Sequence, residues 1–284
     1  MIVYAADIHL TDKQPVNRIT SVLPQGIDKF KSILQVASDQ KAAVILGGDL
    51  FESPCPSYAL YNQVVTALRH YGVQVYAVFG NHDLLYGDLA TENNALRALC
   101  NSKYVTELSI WPVEIDGYAV YGISYKKELY TEFVVEDPKA IIVTHQFLTP
   151  KPLPYGHVLI QDFNPGKAKF VFCAHLHTPF TEVNKNGTIF VNPGCVCRIN
   201  RNEADVIPSY VSLSNGSVKR ISLGDYPVSF SEREVKKADF IHSISDAKVE
   251  SQDVYRYIEN SSEPKEVKAC AVTLIKKYKG ETYA

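Results

Sequence analysis

Five apolar stretches of strand length in this sequence each end in residues of the types that bind metal ions. These residues are Asp7 and His9, Asp49, Asn81 and His82, His145, and His175 and His177. Residues two apart in an extended chain share a face, so we expect Asp7 and His9 to point the same way, and likewise His175 and His177. Each pair can then hold one metal ion or two adjacent ones.

Oxygen and nitrogen donors without a thiolate suit borderline-hard cations, so we expect two divalent ions, Mn²⁺ first, with Fe²⁺ or Zn²⁺ as alternatives. Two such ions about 3.5–4 Å apart are the usual arrangement for in-line displacement at phosphorus. The remaining histidines of the chain's eight lie in helix or loop contexts, and we interpret them as structural or exposed: His70, His157 and His242. The predicted chemistry is hydrolysis of a phosphoester.

The elements that must position these residues begin as strand, helix, strand, helix, strand. Apolar runs at 2–6, 42–46 and 73–79 predict strands, and apolar residues at helical spacing over 27–37 and 60–71 predict helices. This order is typical of parallel strands joined by right-handed crossovers.

The sequence pattern in the second half of the chain predicts an antiparallel or mixed sheet. Three dipeptides predict tight hairpins: Asp116-Gly117, Asn186-Gly187 and Asn215-Gly216. The whole chain is therefore predicted to be a mixed α/β fold of two facing sheets with helices outside. We predict a first domain over 1–224 and a helical C-terminal extension over 225–284, which either packs onto that domain or docks a partner.

Composition limits the classes of partner. The 284 residues carry a net charge of -2, which excludes a uniformly basic surface, so any nucleic-acid contact must come from local basic patches. Arg198 and Arg201, just beyond the turn at Pro193-Gly194, are the candidate DNA contacts. No apolar run reaches the roughly 18 residues that span a bilayer, so we expect no membrane partner.

The six cysteines form no regular framework, which favours reduced thiols and a cytoplasmic location. Cys195 and Cys197 form a Cys-x-Cys pair that offers an alternative, thiolate metal site, although no second pair accompanies it.

The order of these motifs resembles that of the calcineurin-like metallophosphoesterase superfamily over residues 1–192. The motifs are Asp7-x-His9, Gly48-Asp49, Gly80-Asn81-His82-Asp83, His145 and His175-x-His177. The resemblance implies a four-layer α/β/β/α sandwich with a dimetal site at the strand ends. It implies that the first metal is bound by Asp7, His9 and His177, and the second by Asn81, His145 and His175. Asp49 would bridge both, and His82 would bind no metal but protonate the leaving oxygen.

Within that superfamily, residues 48–51, residues 80–83 and the turn Asn192-Pro193-Gly194 are similar to the SbcD, or meiotic recombination eleven, nuclease subunit of SbcCD-type DNA repair complexes. The similarity implies a homodimeric Mn²⁺-dependent exonuclease and endonuclease that acts on DNA. It also implies an SbcC-like partner, a coiled-coil ABC-type ATPase docked on the C-terminal helices. Where the family has a second histidine, this chain has Glu52, whose carboxylate would repel a phosphate unless it is protonated or turned away.

Three other functions remain open. A small-molecule phosphodiesterase would use the same ligands, and a narrow pocket that excludes duplex DNA would favour it. A protein phosphatase of the superfamily would have an Asp-Arg-Gly run at this point. The residues after Asp49 in this chain do not form one. An inactive scaffold would be expected to have lost ligands, and none is missing.

Overall fold

The architecture was obtained as a computed structural model, which describes residues 1–15, 17–154, 156–224 and 226–231. In chain order its helices and strands are β1 (Ile2–Ala5), α1 (Val22–Asp39), β2 (Ala43–Leu46), α2 (Tyr58–Tyr71), β3 (Val75–Ala77), α3 (Ala95–Asn101), β4 (Thr106–Glu107), β5 (Val113–Ile115), β6 (Tyr118–Ile123), β7 (Glu132–Val135), β8 (Ile141–Thr144), β9 (Leu148–Thr149), β10 (Val158–Leu159), β11 (Asn164–Gly166), β12 (Phe170–Cys173), β13 (Phe180–Val183), β14 (Ile189–Asn192), β15 (Ser209–Ser214) and β16 (Ser217–Ser222). Two short 3₁₀ helices lie at Leu85–Gly87 and Arg201–Glu203.

The first sheet has six strands in the order β16-β15-β1-β2-β3-β4. Strands β1 to β4 run parallel, as the alternation of strands and helices predicts. The chain returns to this sheet late, because β15 pairs antiparallel with β1 and β16 closes the edge. The Asn215-Gly216 hairpin was predicted, but its docking on the first sheet was not.

The second sheet also has six strands, in the order β13-β14-β12-β8-β6-β5. Its four central strands are parallel and its two edge strands are antiparallel, so the predicted mixed sheet is confirmed. In the hairpin between β5 and β6, Asp116 and Gly117 have φ of 53° and 78°, as a type I′ turn requires.

The two sheets face each other across an apolar layer. In β1, Ile2 and Tyr4 point into this layer, whereas Val3 and Ala5 point to the opposite face, where the helices pack. The Tyr4 ring stacks on Phe172 of the second sheet with ring centroids 4.6 Å apart. Both faces of β1 are therefore buried, which explains its uninterrupted apolar sequence.

Helices cover the outer face of the first sheet, with Phe30 of α1 and Val64 of α2 buried there. Ser57 caps α2, its hydroxyl accepting from the Leu60 amide at 3.2 Å. On the outer face of the second sheet, the described residues place short strands and loops around Phe163 and Phe190. The predicted sandwich of two facing sheets in a mixed α/β fold is confirmed.

The first compact unit of the chain spans residues 1–231. Its last described segment lies against the N-terminal region, where the Ile19 amide donates to the Ser229 carbonyl at 2.8 Å. Most of the predicted C-terminal extension, residues 232–284, lies outside the described residues together with His242 and Cys270, so the extension stays a prediction. No helix in the part of the chain that is described has the length and apolar character to cross a bilayer.

Candidate metal centre

The carboxyl ends of five strands converge on one site between the two sheets. Strands β1, β2 and β3 contribute from the first sheet, and β8 and β12 from the second. The side chains brought together are all seven predicted metal ligands and His82: Asp7, His9, Asp49, Asn81, His82, His145, His175 and His177. Four of them are almost completely buried: Asp7, His9, Asp49 and His145.

One half of the centre brings two histidine nitrogens face to face. His9 Nε2 and His177 Nε2 lie 3.1 Å apart. The other ring nitrogen of each faces a carboxylate: His9 Nδ1 is 2.7 Å from Glu52 Oε2, and His177 Nδ1 is 2.6 Å from Glu203 Oε1. Because a carboxylate only accepts, the carboxylate beside each ring favours a proton on Nδ1, which leaves a lone pair on Nε2 whenever the ring is neutral.

Two lone pairs at that distance repel each other unless a cation or a proton lies between them. The ligand atoms of Asp7, His9 and His177 all lie within 4.8 Å of one another, so one cation can contact all three. Nitrogen and carboxylate donors suit a borderline divalent ion. These residues therefore fit the first of the two metal ions.

The other half is arranged around His145. Its Nε2 lies 3.3 Å from Asp49 Oδ2 and 3.1 Å from Asn81 Oδ1, while its Nδ1 donates to the Gly47 carbonyl at 2.7 Å. Asp49, His145 and His175 form a second group whose ligand atoms lie within 4.8 Å of one another. Because Asp49 Oδ2 is also 3.7 Å from His9 Nε2, its carboxylate lies between the two halves, where a bridging ligand would be.

The backbone at this centre is unusual. Asp7, His9, Asp49 and His175 have φ of 50°, 51°, 52° and 70°, in the left-handed region that residues with a side chain rarely adopt. The prediction that Asp7 and His9 share a face of an extended strand is therefore wrong, since β1 ends at Ala5 and the chain turns sharply after it. Strained backbone of this kind clusters at functional sites, where surrounding contacts hold it.

The contacts that hold this backbone come from carboxylates accepting main-chain amides. Asp83 Oδ2 accepts from the amides of Asp49 at 2.7 Å and Gly80 at 2.9 Å. Asp7 accepts from the His175 amide at 3.1 Å. At Gly80, an added Cβ would lie 2.0 Å from Asp49 Oδ1, so only glycine fits there. Burial, and then the nearby Asp49 carboxylate, raise the pKa of Asp83 to about 7.

The electrostatics of the centre favour positive charge. Burial disfavours a charged His145, but the Asp49 and Asp7 carboxylates outweigh it and raise its pKa to about 9. His9 behaves alike, because Glu52 and Asp49 overcome burial and raise its pKa to about 9. The Asp49 carboxyl has a pKa well below its usual range, because these histidines outweigh its burial. His175 is the opposite case, because burial and then the nearby His145 lower its pKa to about 3. The carboxylates Asp7, Asp49 and Glu52 are therefore the groups that would attract cations to this centre.

Residues 1–179 match the calcineurin-like phosphoesterase family. The chain belongs to this family. No curated protein matches its sequence. A solved dimetal phosphatase from Danio rerio shares 10% identity, with a TM-score of 0.51 over 81% of this chain and 98% of that one. The protein TT1561 of Thermus thermophilus shares 15% identity, with a TM-score of 0.49 over 78% and 98% of the two chains.

In this calcineurin-like phosphoesterase, His82 lies at the mouth of the centre. Its side chain is 37% exposed, while that of the neighbouring His9 is 1% exposed. His82 Nδ1 donates to the Glu52 carbonyl at 3.0 Å, and the main-chain amide of His82 donates to Asp49 Oδ1 at 2.7 Å. The ring is thereby anchored through Nδ1. His82 also forms a group with His9 and Asp49 whose ligand atoms lie within 4.8 Å of one another, so its position suits contact with either a metal ion or a substrate.

Sequence reasoning missed Glu203, and it gave Glu52 a different role. Glu52 is turned towards His9, where its Oε2 lies 2.7 Å from Nδ1. Glu203 lies in the 3₁₀ helix, where its Oε2 accepts from the Ile199 and Asn200 amides at 2.6 and 2.9 Å. The spacing from Asn200 to Glu203 is that of a capping box, a signal that the sequence contains.

The two candidate DNA contacts separate in the structure. Arg198 is only 7% exposed, and its guanidinium donates to the carbonyls of Ala204 and Tyr226. Its expected role as a DNA contact is wrong for this reason. Arg201 is exposed and stays a candidate.

Among the residues that the structure describes, the remaining histidines and cysteines lie outside this centre, with one exception. His70 is exposed, and His157 accepts from the Leu153 amide at 3.4 Å. The described cysteines are free thiols, and of the Cys-x-Cys pair only Cys195 lies in a cluster of metal-binding side chains, with His177 and Glu203.

Proposed function

We propose that this calcineurin-like phosphoesterase is a Mn²⁺-dependent DNA nuclease that hydrolyses phosphodiester bonds as the subunit of a DNA repair or recombination complex. The family is one of metal-dependent hydrolases of phosphoester bonds that hold two divalent ions. The observation that carries the proposal is the position of Asp49 Oδ2, 3.7 Å from His9 Nε2 and 3.3 Å from His145 Nε2, between two ligand groups.

The proposed ligand sets follow the two halves of the centre. One ion would be held by Asp7, His9 and His177. The other ion would be held by Asn81, His145 and His175, and Asp49 would contact both ions. When bound, the two ions activate water and stabilise negative charge on the phosphate oxygens. The carboxylates and the backbone of the turns after β1, β2 and β12 hold the ligands in place before the ions bind.

His82 is proposed as the general acid. Its Nδ1–H stays on the Glu52 carbonyl, so the proton that leaves is the one on Nε2 of the charged imidazolium. That proton passes to the leaving oxygen, and the ring becomes the neutral tautomer with Nδ1 protonated. Positioned proton transfer of this kind contributes about 10²–10⁴-fold to a rate.

The choice of DNA as substrate is supported by the motif residues 48–51 and 80–83 and by the exposed Arg201, which shares a 3₁₀ helix with Glu203. The homodimer and the SbcC-like ATPase belong to the same proposal and rest on the same motifs. Mn²⁺ is supported by a donor set of carboxylate, amide and imidazole groups.

One observation favours a second candidate, a small-molecule phosphodiesterase. A cavity of about 330 Å³ opens beside His175, and its volume suits a small organic group. The substrate would then be a small phosphodiester, hydrolysed at the same centre by the same residues.

A hydrolysis assay with Mn²⁺ separates the two candidates. Linear duplex DNA, single-stranded DNA and bis-p-nitrophenyl phosphate are compared, with Asp49→Ala as control. Cleavage of DNA that is lost in Asp49→Ala supports the nuclease. Cleavage of the small ester alone moves the substrate to the small-molecule class.

A further inference from the structure

The cavity beside His175 adjoins the metal centre and has a wall of distinct chemistry. Its wall is built from the segment after β6, the segment after β8 and the segment after β12, with contributions from Tyr125, Lys126, Lys127, Gln146, Phe147 and His175. Its volume of about 330 Å³ is at the lower end of the range for small-ligand sites. A duplex cannot enter it, but one ring system can.

Aromatic side chains give this cavity a preference for flat groups. The His175 ring lies 5.6 Å from the Tyr125 ring and 4.9 Å from the Phe147 ring, measured between centroids. Rings that line a cavity in this way favour a planar partner, by stacked or edge contacts. A planar group held here lies next to a proposed metal ligand, and therefore next to the reacting phosphate.

Gln146 supplies an unused hydrogen-bond donor to the same cavity. The residue is 1% exposed, and its side-chain amide nitrogen has no hydrogen-bond partner among the described residues. Its main-chain amide donates to Thr144 Oγ1 at 3.1 Å, and this hydrogen bond holds the backbone of Gln146 in place. A buried donor without a partner is unfavourable, so a ligand that offers an acceptor relieves this cost. The broad terminal torsion of glutamine lets the amide turn towards that acceptor.

The charge at the cavity suits an anionic ligand. Lys126 and Lys127 are both exposed at its edge, in a chain whose net charge is -2. A neutral aromatic ligand would gain nothing from this pair, whereas a ring that carries a phosphate would be attracted by it.

We propose that this cavity binds the base of the nucleotide that adjoins the scissile phosphate, with the Gln146 amide donating to an acceptor on the base. The inference rests on the proposed phosphodiesterase activity of the neighbouring centre. The ligand is a pyrimidine or purine nucleotide, either in a DNA strand or in a small nucleotide ester.

The test compares two esters that share the p-nitrophenyl leaving group. One is thymidine 5′-p-nitrophenyl phosphate, and the other is methyl p-nitrophenyl phosphate, which has no base. In Gln146→Leu, the ratio of kcat/KM for the thymidine ester to that for the methyl ester falls roughly three- to tenfold, the loss of one hydrogen bond. Gln63→Leu, an exposed glutamine of α2, leaves the ratio unchanged. An unchanged ratio in Gln146→Leu overturns the proposal.

Thermal stability distinguishes ligand binding from a structural role. Because the amide nitrogen has no partner in the described structure, Gln146→Leu is expected to keep or raise Tm. A Tm lowered by several degrees would show that Gln146 supports the fold instead, and would also overturn the proposal.

Calorimetric titration with thymidine 5′-monophosphate distinguishes a failure of the proposed hydrolytic activity from a failure of the proposed base binding in the cavity. If neither ester is hydrolysed, the proposed function fails, but binding that weakens in Gln146→Leu still supports the cavity. If the esters are hydrolysed and the monophosphate does not bind the wild-type chain, the cavity proposal fails alone. Cleavage is then compared between oligothymidylates that have or lack the base beside the cleaved bond. If removal of the base weakens cleavage, the cavity binds a base of DNA. If cleavage is unchanged, the cavity binds small nucleotides.

Discussion

Glu203 Oε1 lies 2.6 Å from His177 Nδ1, and this contact sets which nitrogen of His177 faces the metal centre. Burial would raise the pKa of Glu203, but its hydrogen bond to His177 and the amides of Asn200 and Ile199 outweigh burial and lower it to about 2. Glu203 is therefore a carboxylate that orients a ligand and increases its basicity.

Replacing Glu203 with alanine is expected to weaken Mn²⁺ binding about 10–100-fold, the usual effect of losing such a partner. Calorimetric titration with Mn²⁺ measures it. Glu203→Gln is the matched control, because its single amide oxygen can still accept from His177 Nδ1 while its NH₂ group takes the place of Oε2 beside the Ile199 and Asn200 amides. Its loss of Mn²⁺ affinity should therefore be smaller than that of Glu203→Ala. Equal losses in both variants, or none, would contradict this role.

Glu52 gives a second test, which asks whether its carboxylate supports metal binding or repels the substrate phosphate. Its Oε2 lies 2.7 Å from His9 Nδ1 and 3.7 Å from His82 Nδ1, so its charge is used within the centre. Glu52→Gln should weaken Mn²⁺ binding and leave KM at saturating Mn²⁺ nearly unchanged. If KM falls while Mn²⁺ affinity stays constant, Glu52 instead repels the substrate phosphate.

His82→Ala should keep both metal ions and lose turnover of DNA by about 10²–10⁴-fold, as expected for a general acid. The loss should be smaller with a p-nitrophenyl ester, whose leaving group departs without being protonated. Steady-state kinetics with both substrates, alongside metal analysis, measure this. Loss of the metals from His82→Ala would make His82 a ligand and exclude the acid role.

Lys29 makes stability depend on pH through a group that is not a proposed metal ligand. Its side chain is completely buried in α1 and donates to the Val196 carbonyl at 2.9 Å. Burial is the main cause that lowers its pKa from 10.5 to about 8. Between these pH values the unfolded chain holds a proton that the folded chain has released, so the free energy of unfolding rises with pH across this window.

The Lys29 contribution is measured as a difference between variants. Urea unfolding at pH 7, 8.5 and 10 should show wild-type stability increasing relative to Lys29→Met, by up to about 3 kcal/mol over the window. Comparing the two chains cancels other groups that titrate at alkaline pH. A difference that does not change with pH would show that Lys29 keeps its ordinary pKa.

The ligands of the centre were predictable because residue type and position after an apolar strand are both local features. The run Val44–Leu46 before Asp49 is one such feature, and the run Ile141–Val143 before His145 is another. Tight hairpins were predictable for the same reason, since Asp116 and Gly117 tolerate the backbone that the turn requires.

Contacts between distant parts of the chain were not predictable. Glu203 meets His177 across 26 residues of separation, and Arg198 is covered by a carbonyl of Tyr226, 28 residues later. The left-handed backbone at Asp7 and His9 depends on the second sheet too, because Asp7 accepts from the His175 amide. Such features follow from how the two sheets meet, which one segment's pattern does not encode.

The most direct test of a dimetal centre is the number of Mn²⁺ ions per chain, measured by elemental analysis after equilibrium dialysis. We expect two ions in the wild-type chain and fewer in Asp49→Ala, because Asp49 lies between the two ligand groups. One ion or none in the wild-type chain, or the same number in both chains, would contradict the assignment.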